Sequence, residues 1–76
     1  MPADQPQWVL DARRATGDRI RVRRLHQDMT QEMLAHAAEI DRSTVQRMEA
    51  GHEMKLSHLL LVAHALRVHV TDLLHG

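Results

Sequence analysis

The feature that most constrains this chain is a pair of helix start signals that lie eleven residues apart. Thr30 and Asp41 are residue types that often cap helix N-termini, and each precedes a short run that favours helix. Only the segment from Glu39 to Asp41 is left for the turn between the two runs. Because this turn is so short, the two helices must cross at a steep angle.

The rest of the chain also favours helix, since no long stretch alternates apolar and polar residues. Gly17 lies inside the first helical segment, where it either divides the segment, with Asp18 as a new cap, or only weakens it. Gly51 follows the third helix, where a left-handed residue often ends a helix. We therefore predict an all-α fold, a compact bundle of five helices, at about residues 7–27, 31–38, 42–50, 56–66 and, from His69 or Thr71, to 74. Residues 1–6 are expected to form a flexible arm before a single domain at residues 7–76.

The composition excludes several classes of function. The chain has no cysteine, so disulfides and cysteine-ligated zinc are impossible, and no apolar run is long enough to cross a membrane. None of the seven histidines lies three or four residues from another, so no helix face presents two metal ligands together. No nucleophile–base spacing, glycine-rich phosphate loop or carboxylate pair indicates catalysis. We expect no enzyme activity, no metal and no cofactor.

The charges cancel over the whole chain but are segregated along it. Ten Lys and Arg balance ten Asp and Glu. Residues 13–24 hold six arginines and one acid, whereas residues 25–54 hold six acids and two arginines. The first helix is therefore basic, and a solvated face explains such a run as readily as a nucleic-acid contact does.

The third helix has an outer face that suits duplex DNA. Its inner face is apolar through Val45 and Met48, and Ala35 is small where the two short helices meet. The outer face carries hydrogen-bonding side chains and no acid: Arg42, Ser43, Thr44, Gln46 and Arg47. Such a helix fits the major groove, where Arg reads guanine and Gln, Ser or Thr read other base edges. The N-terminus of the second helix offers free N–H groups to a phosphate.

Residues 30–51, TQEMLAHAAEIDRSTVQRMEAG, resemble the helix-turn-helix of the lambda-repressor-like (Cro-type, XRE) family. That family's pattern is roughly Ser/Thr-Gln-x-x-Leu-Ala followed by Ser-x-x-Thr-Ile-Ser-x-Ile-Glu-x-Gly. The resemblance covers residues 17–74, which leaves residues 7–17 as an N-terminal helical extension. It implies a sequence-specific DNA-binding transcriptional regulator, expected to be a repressor, whose recognition helix at residues 42–50 enters the major groove.

The resemblance also implies roles for individual residues. Gln31 would bind a phosphate and brace a recognition side chain, while His52 and Lys55 lie where phosphate contacts are common. Base edges and flanking phosphates would be contacted by Arg42, Ser43, Thr44, Gln46 and Arg47. Arg24 and Glu49 stand where family members form a structural ion pair between the first and third helices.

The chain departs from the family pattern in its turns. Glu39 occupies the turn position that normally carries Gly, and a left-handed conformation there costs a non-Gly residue about 1 kcal/mol or more. Arg67 replaces the usual Gly after the fourth helix, and Met54 stands in place of the usual Pro in the loop after Gly51. These departures leave the fold assignment intact and affect the expected contacts and loop geometry.

Two apolar clusters lie outside the expected core. In the fourth helix Leu59, Leu60 and Ala63 fit the inner face, which leaves Leu61 as the residue expected to point outward. Trp8 begins a second cluster, with Val9 and Leu10, before the family resemblance starts. Either the N-terminal helix folds back and covers the domain, or Trp8 and Leu61 belong to a dimer interface.

Two functions from different classes fit these observations. The first is a DNA-binding regulator that binds double-stranded DNA at a short inverted repeat as a homodimer, in the cytoplasm of a prokaryotic or phage-like system. The alternative is a protein–protein interaction module, or an antitoxin-type partner of another protein, with the same fold and weak or no DNA binding. The acids around the outer face of the third helix favour this alternative: Glu32, Glu39 and Glu53.

Overall fold

The computed structural model describes residues 5–75, and these form five helices and no strand. The helices are α1 (Gln7–His26), α2 (Gln31–Ala38), α3 (Arg42–Glu49), α4 (Leu56–Leu66) and α5 (Val70–Leu74). The all-α prediction is confirmed, and the observed bounds lie within a residue or so of the expected ones. Within the described residues no helix combines the length and the apolarity that a membrane span requires.

A single apolar core joins all five helices. α2 packs against both α3 and α4, while α1 packs against α3 and α5. Small side chains on α2 let the neighbouring backbones approach closely, and fully burying a Leu or Ile side chain contributes about 1.5–3 kcal/mol. The buried apolar residues are Ile20, Leu34, Ala35, Ala38, Val45, Met48, Leu59, Val62, Ala63, Leu66 and Leu73.

α1 runs without interruption through Gly17, so no helix restarts there. A Cβ added at Gly17 would lie 2.9 Å from the carbonyl oxygen of Glu49 and would also collide with that of Met48. Glycine therefore stands at this position because α1 crosses the end of α3 at backbone contact distance. Asp18 is not a helix cap; its carboxylate lies 3.7 Å from a guanidinium nitrogen of Arg21 in the same helix.

The turns place four residues in the left-handed region. Glu39 ends α2 with φ 58°, as the family pattern requires of a residue at the glycine position, and Arg67 ends α4 with φ 59°. Gly51 follows α3 with φ 86°. Asp28 also has a positive φ of 56°, which the sequence did not indicate. Three of the four positions therefore carry side chains in a conformation that favours glycine.

The expected inner face of α4 is wrong at one residue. The residues that point into the core are Leu59, Val62, Ala63 and Leu66. Leu60, in contrast, is 48% exposed, and Leu61 is 41% exposed. Successive residues of an α-helix are about 100° apart, so the neighbour of a central buried residue turns toward solvent. Met33 of α2 is also half exposed.

The N-terminal part of α1 continues the helix instead of folding back over the domain. Trp8 is 72% exposed, while Val9 and Leu10 are partly buried. Of the six residues expected to form an arm, residues 1–4 lie outside the described part of the chain. Gln5 accepts a hydrogen bond from Arg13 at 2.8 Å and donates one to Glu53 at 3.3 Å.

Candidate nucleic-acid interface

The outer face of α3 is held out toward solvent by two buried residues. Val45 and Met48 are fully buried and fix the rotation of the helix about its axis. The α3 outer face consists of Arg42, Ser43, Gln46 and Arg47, which are exposed, and Thr44, which is partly buried. Among residues 5–75 none of these five side chains forms a hydrogen bond or an ion pair. Their donors and acceptors are therefore available to a partner molecule.

The N-terminus of α2 has a formed cap and lies close to α3. Thr30 Oγ1 accepts a hydrogen bond from the backbone N–H of Met33 at 3.0 Å, as its residue type predicts. The first N–H groups of an α-helix have no partner within the helix, and they carry a partial positive charge. Asp41 occupies the N-cap position of α3, where its side chain forms no capping hydrogen bond.

A bidentate ion pair ties α1 to α3 beneath this surface. Arg24 donates from Nε to Glu49 Oε2 at 2.7 Å and from Nη2 to Oε1 at 2.9 Å, and its Nη1 donates to the carbonyl of Met29 at 2.8 Å. The two side chains are only 9% and 4% exposed. The hydrogen bond to Glu49 raises the pKa of Arg24, against the lowering effect of burial. These are the two residues for which the family resemblance implied a structural pair.

Gln31 takes part in the same network. Its amide nitrogen donates to Glu49 Oε1 at 3.2 Å, so the side chain braces the buried acid and not a base-reading residue. The bracing of a recognition side chain is therefore absent from this structure. Its carbonyl oxygen forms no hydrogen bond within the described residues, and the position at the start of α2 remains compatible with a phosphate contact.

The loop after α3 carries the two other residues predicted to contact phosphate. His52 and Lys55 are exposed, and Lys55 is the N-cap residue of α4. Thr44, Arg47 and Lys55 border one cleft of about 800 Å³ between the α2–α3 turn and the start of α4. Acids share its rim, namely Glu39, Asp41 and Glu53. The structure thus brings Thr44 and Arg47 of α3 together with Lys55 of the loop around this cleft. His52 instead lines a separate groove with Arg13 and Arg14.

One contact of the loop could not be found from the sequence. Arg13 Nη1 lies 3.6 Å from the carboxylate of Glu53, and the Arg13 side chain is three-quarters covered. The two residues are far apart in the chain, and no local pattern in the sequence indicates that α1 reaches this loop.

The two residues expected at a dimer interface lie in different surroundings. Trp8 lines an apolar groove of about 360 Å³ together with Val9, Met54, Leu59 and Leu74. Leu61 is on the outer side of α4 and does not line this groove. The sequence missed Leu56, which is the most exposed leucine at 69%. In the part of the chain that the structure describes, no three His, Asp or Glu side chains are grouped to hold a metal ion.

Comparisons with known proteins agree with this geometry. The helix-turn-helix family model matches residues 20–73. The hypothetical transcription factor NHTF from Neisseria is 30% identical, with a TM-score of 0.82, and the match covers 100% of this chain and 87% of that one. No curated protein sequence matches the chain.

Two further solved structures are similar. The restriction-modification controller protein C.AhdI from Aeromonas hydrophila is 33% identical with a TM-score of 0.77, over 83% of this chain and 96% of that one. The clp gene regulator ClgR from Corynebacterium glutamicum is 31% identical with a TM-score of 0.77, over 83% of this chain and 68% of that one. The resemblance noted in the sequence is therefore confirmed, and the chain belongs to the XRE-type helix-turn-helix family of DNA-binding regulators.

Proposed function

We propose that the protein is a sequence-specific transcriptional repressor that binds an inverted repeat in double-stranded DNA as a homodimer. The observation that carries the proposal is the α3 outer face, where exposed donors and acceptors without intramolecular partners stand on a helix with a buried anchor. Such a protein must bind chromosomal DNA, which in a prokaryotic cell lies in the cytoplasm. The non-enzymatic character of the family agrees with this function.

In this proposal α3 enters the major groove with its N-terminal end first. Arg47 and Gln46 read base edges, since a guanidinium suits guanine and an amide suits adenine. Arg42, Ser43 and Thr44 contact bases or the phosphates that flank them. Such contacts distinguish one base sequence from another because the exposed side chains have no intramolecular hydrogen bonds and can form them with the DNA.

Phosphate contacts position the helix. The N-terminus of α2, with Gln31, takes one phosphate, and His52 and Lys55 in the loop take others. The acids on the rim of the cleft, Glu39 and Asp41 among them, oppose non-specific attraction to DNA. We therefore expect weak binding to random duplex and a large share of the affinity from specific contacts.

The homodimer is supported by apolar surface that the single chain leaves uncovered. Trp8 with its groove and Leu61 on α4 are two separate surfaces, and either can be covered by a second copy. A dimer on DNA must hold its two recognition helices about 34 Å apart, one turn of the duplex. Sedimentation of Trp8→Ala and Leu61→Asp tests the two surfaces independently. If both variants sediment as the wild type does, neither surface holds the dimer together.

The experiment that tests DNA binding is a salt titration of the wild type and two variants on a duplex selected from a random pool. Wild-type binding should weaken steeply with salt, with a slope set by the number of phosphates contacted. Arg47→Ala should relax base preference at one position by about 1–3 kcal/mol. Gln31→Ala should weaken binding to all sequences alike. Because this variant also loses the hydrogen bond to Glu49, its unfolding curve gives the folded fraction by which the binding data are corrected. Equal loss of specificity in both variants would contradict the assigned roles.

The alternative, an interaction module or antitoxin-type partner with weak or no DNA binding, is favoured by one observation. Glu32, Glu39 and Asp41 are exposed around the start of α3, close to the side chains proposed to meet DNA. A protein partner with a basic surface would fit them. Absent or salt-independent duplex binding, combined with no enrichment from a random pool, would favour this alternative.

A further inference from the structure

We propose that the first half of α1, residues 7–17, is a second DNA-contacting element, in which Arg14 binds a backbone phosphate beside His52 and Arg13 restrains Glu53. The proposal rests on the proposed DNA-binding function and extends the contact surface beyond residues 20–73, the part that the family model matches. We refer to residues 7–17 as the α1 extension.

The α1 extension lies directly against the loop that follows α3. A Cβ added at Gly51 would be 2.8 Å from Cγ and 3.1 Å from Cα of Arg14. A shallow groove of about 280 Å³ runs between the two segments, and its lining includes Arg13, Arg14 and His52. The Arg14 guanidinium therefore starts from the same surface as His52, one of the residues proposed to contact phosphate.

Arg14 is the basic residue of this surface that remains available. Among residues 5–75 its side chain has no hydrogen-bond or ion-pair partner, and it is exposed. Most other arginines of α1 are occupied: Arg24 by Glu49, Arg19 by the carbonyl of Leu73 and Arg21 by Asp18. An exposed guanidinium next to a DNA-facing loop is complementary to the phosphate backbone.

Arg13 has a different role on the same surface, because it holds the side chain of Glu53. Glu53 follows His52 in the loop, its side chain is 76% exposed, and its negative charge would repel a nearby phosphate. Arg13 lies 3.6 Å from that carboxylate. Gln5 accepts a hydrogen bond from Arg13 and donates one to the carboxylate of Glu53 at 3.3 Å. Arg13 is thus a positioning residue that holds the acid against the α1 extension and offsets its charge.

Arg23 provides a matched control for Arg14. It is exposed, it lies in the same helix, and it too lacks a side-chain partner within the described residues. Arg23 follows Arg14 by nine positions, about two and a half turns, so the two side chains point to opposite faces of α1. Arg14→Gln and Arg23→Gln remove the same charge from the protein and differ in the face and the turn of α1 that they change.

The test is a salt titration of the full chain on a duplex selected by the wild type. Arg14→Gln should reduce the magnitude of the slope of log affinity against log salt by about 1.8, the value for one phosphate in each of the two subunits of the dimer, and Arg23→Gln should leave it unchanged. The affinity deficit of Arg14→Gln relative to the wild type should shrink by about tenfold between 50 and 200 mM salt, with no change in base preference. Equal slopes in the two variants would overturn the role of Arg14, and so would a change in base preference.

A double-mutant comparison tests Arg13. Arg13→Gln should weaken duplex binding, and adding Glu53→Gln should restore most of the loss, because the unrestrained charge is then gone. If the double variant binds as weakly as Arg13→Gln alone, Arg13 does not act through Glu53. Circular dichroism and thermal unfolding check that each variant is folded. Wild-type protein that fails to bind any duplex would contradict the proposed function itself, whereas normal wild-type binding with an unaffected Arg14→Gln contradicts only the role of the α1 extension.

Discussion

Arg24 and Arg47 show how the same side chain is used in two ways in one small domain. The side chain of Arg24 lies where α1 packs against α3, forms three hydrogen bonds and is almost completely covered. Arg47 projects from α3 two residues before Glu49, is exposed and has no side-chain partner within residues 5–75. The charge that is satisfied internally fixes the angle between two helices, and the charge left unsatisfied is the one available to DNA. Changes at the first should affect folding, and changes at the second should affect binding.

The largest effect is expected from breaking the buried pair. Arg24→Ala leaves the Glu49 carboxylate buried with only Gln31 as a side-chain partner, so the free energy of unfolding should fall by about 3–5 kcal/mol. Urea unfolding followed by circular dichroism measures this loss. The double variant Arg24→Met with Glu49→Met should lose much less, because it removes both charges and keeps apolar volume. A double variant as unstable as the single one would show that the hydrogen bond to Met29, and not the ion pair, carries the stability.

A smaller loss of stability is expected where α1 crosses α3. Gly17→Ala improves helix propensity, yet its methyl group would collide with backbone carbonyls, so we expect a net loss of about 1–3 kcal/mol. Thermal unfolding measures it, with Asp18→Ala as the exposed neighbour that should change stability by no more than about 0.5 kcal/mol. A Gly17→Ala variant as stable as the wild type would mean that the helices cross at a greater distance.

Arg47→Ala should separate binding from folding. Because the side chain is exposed and unpaired, the free energy of unfolding should change by no more than about 0.5 kcal/mol. Discrimination at one base position should nevertheless fall by about 1–3 kcal/mol, measured by competition between single-base variants of the selected duplex. Loss of stability comparable to that of Arg24→Ala would remove the distinction between the two arginines.

The smallest effect concerns the turn that joins α2 to α3. Glu39 holds a left-handed conformation, so Glu39→Gly should raise stability by at most about 1 kcal/mol, reduced by the greater freedom of glycine in the unfolded chain. It should also strengthen binding to random duplex slightly, since one acid leaves the rim of the cleft. Thermal unfolding and a filter-binding assay at low salt measure the two changes. A loss of stability would indicate that the Glu39 side chain makes a contact worth more than its backbone strain.

The sequence predicted local structure well because caps and left-handed positions are set by neighbours in the chain. Thr30 and Gly51 marked helix ends that the structure shows, and the family pattern marked the left-handed position at Glu39. Gly17 illustrates the limit of this approach. It must be glycine because it contacts the backbone of α3, some thirty residues away, and the local sequence does not indicate that contact.

The candidate site was predictable only in part. The residue types on the α3 outer face followed from helical periodicity, and the pairing of Arg24 with Glu49 came from the family resemblance. Arg13 and Glu53 meet because two distant segments lie side by side, which no local pattern records. Leu60 was assigned to the wrong face because four consecutive apolar residues leave the rotation of the helix undetermined.

The most direct test of the central proposal is selection of bound duplexes from a random-sequence pool by the wild-type protein. We predict enrichment of an inverted repeat whose half-sites lie about one helical turn apart, with a guanine whose preference is lost in a parallel selection by Arg47→Ala. A pool that shows no enriched sequence after repeated rounds, or the same enriched sequence for both proteins, would contradict the assignment of the α3 outer face to base recognition.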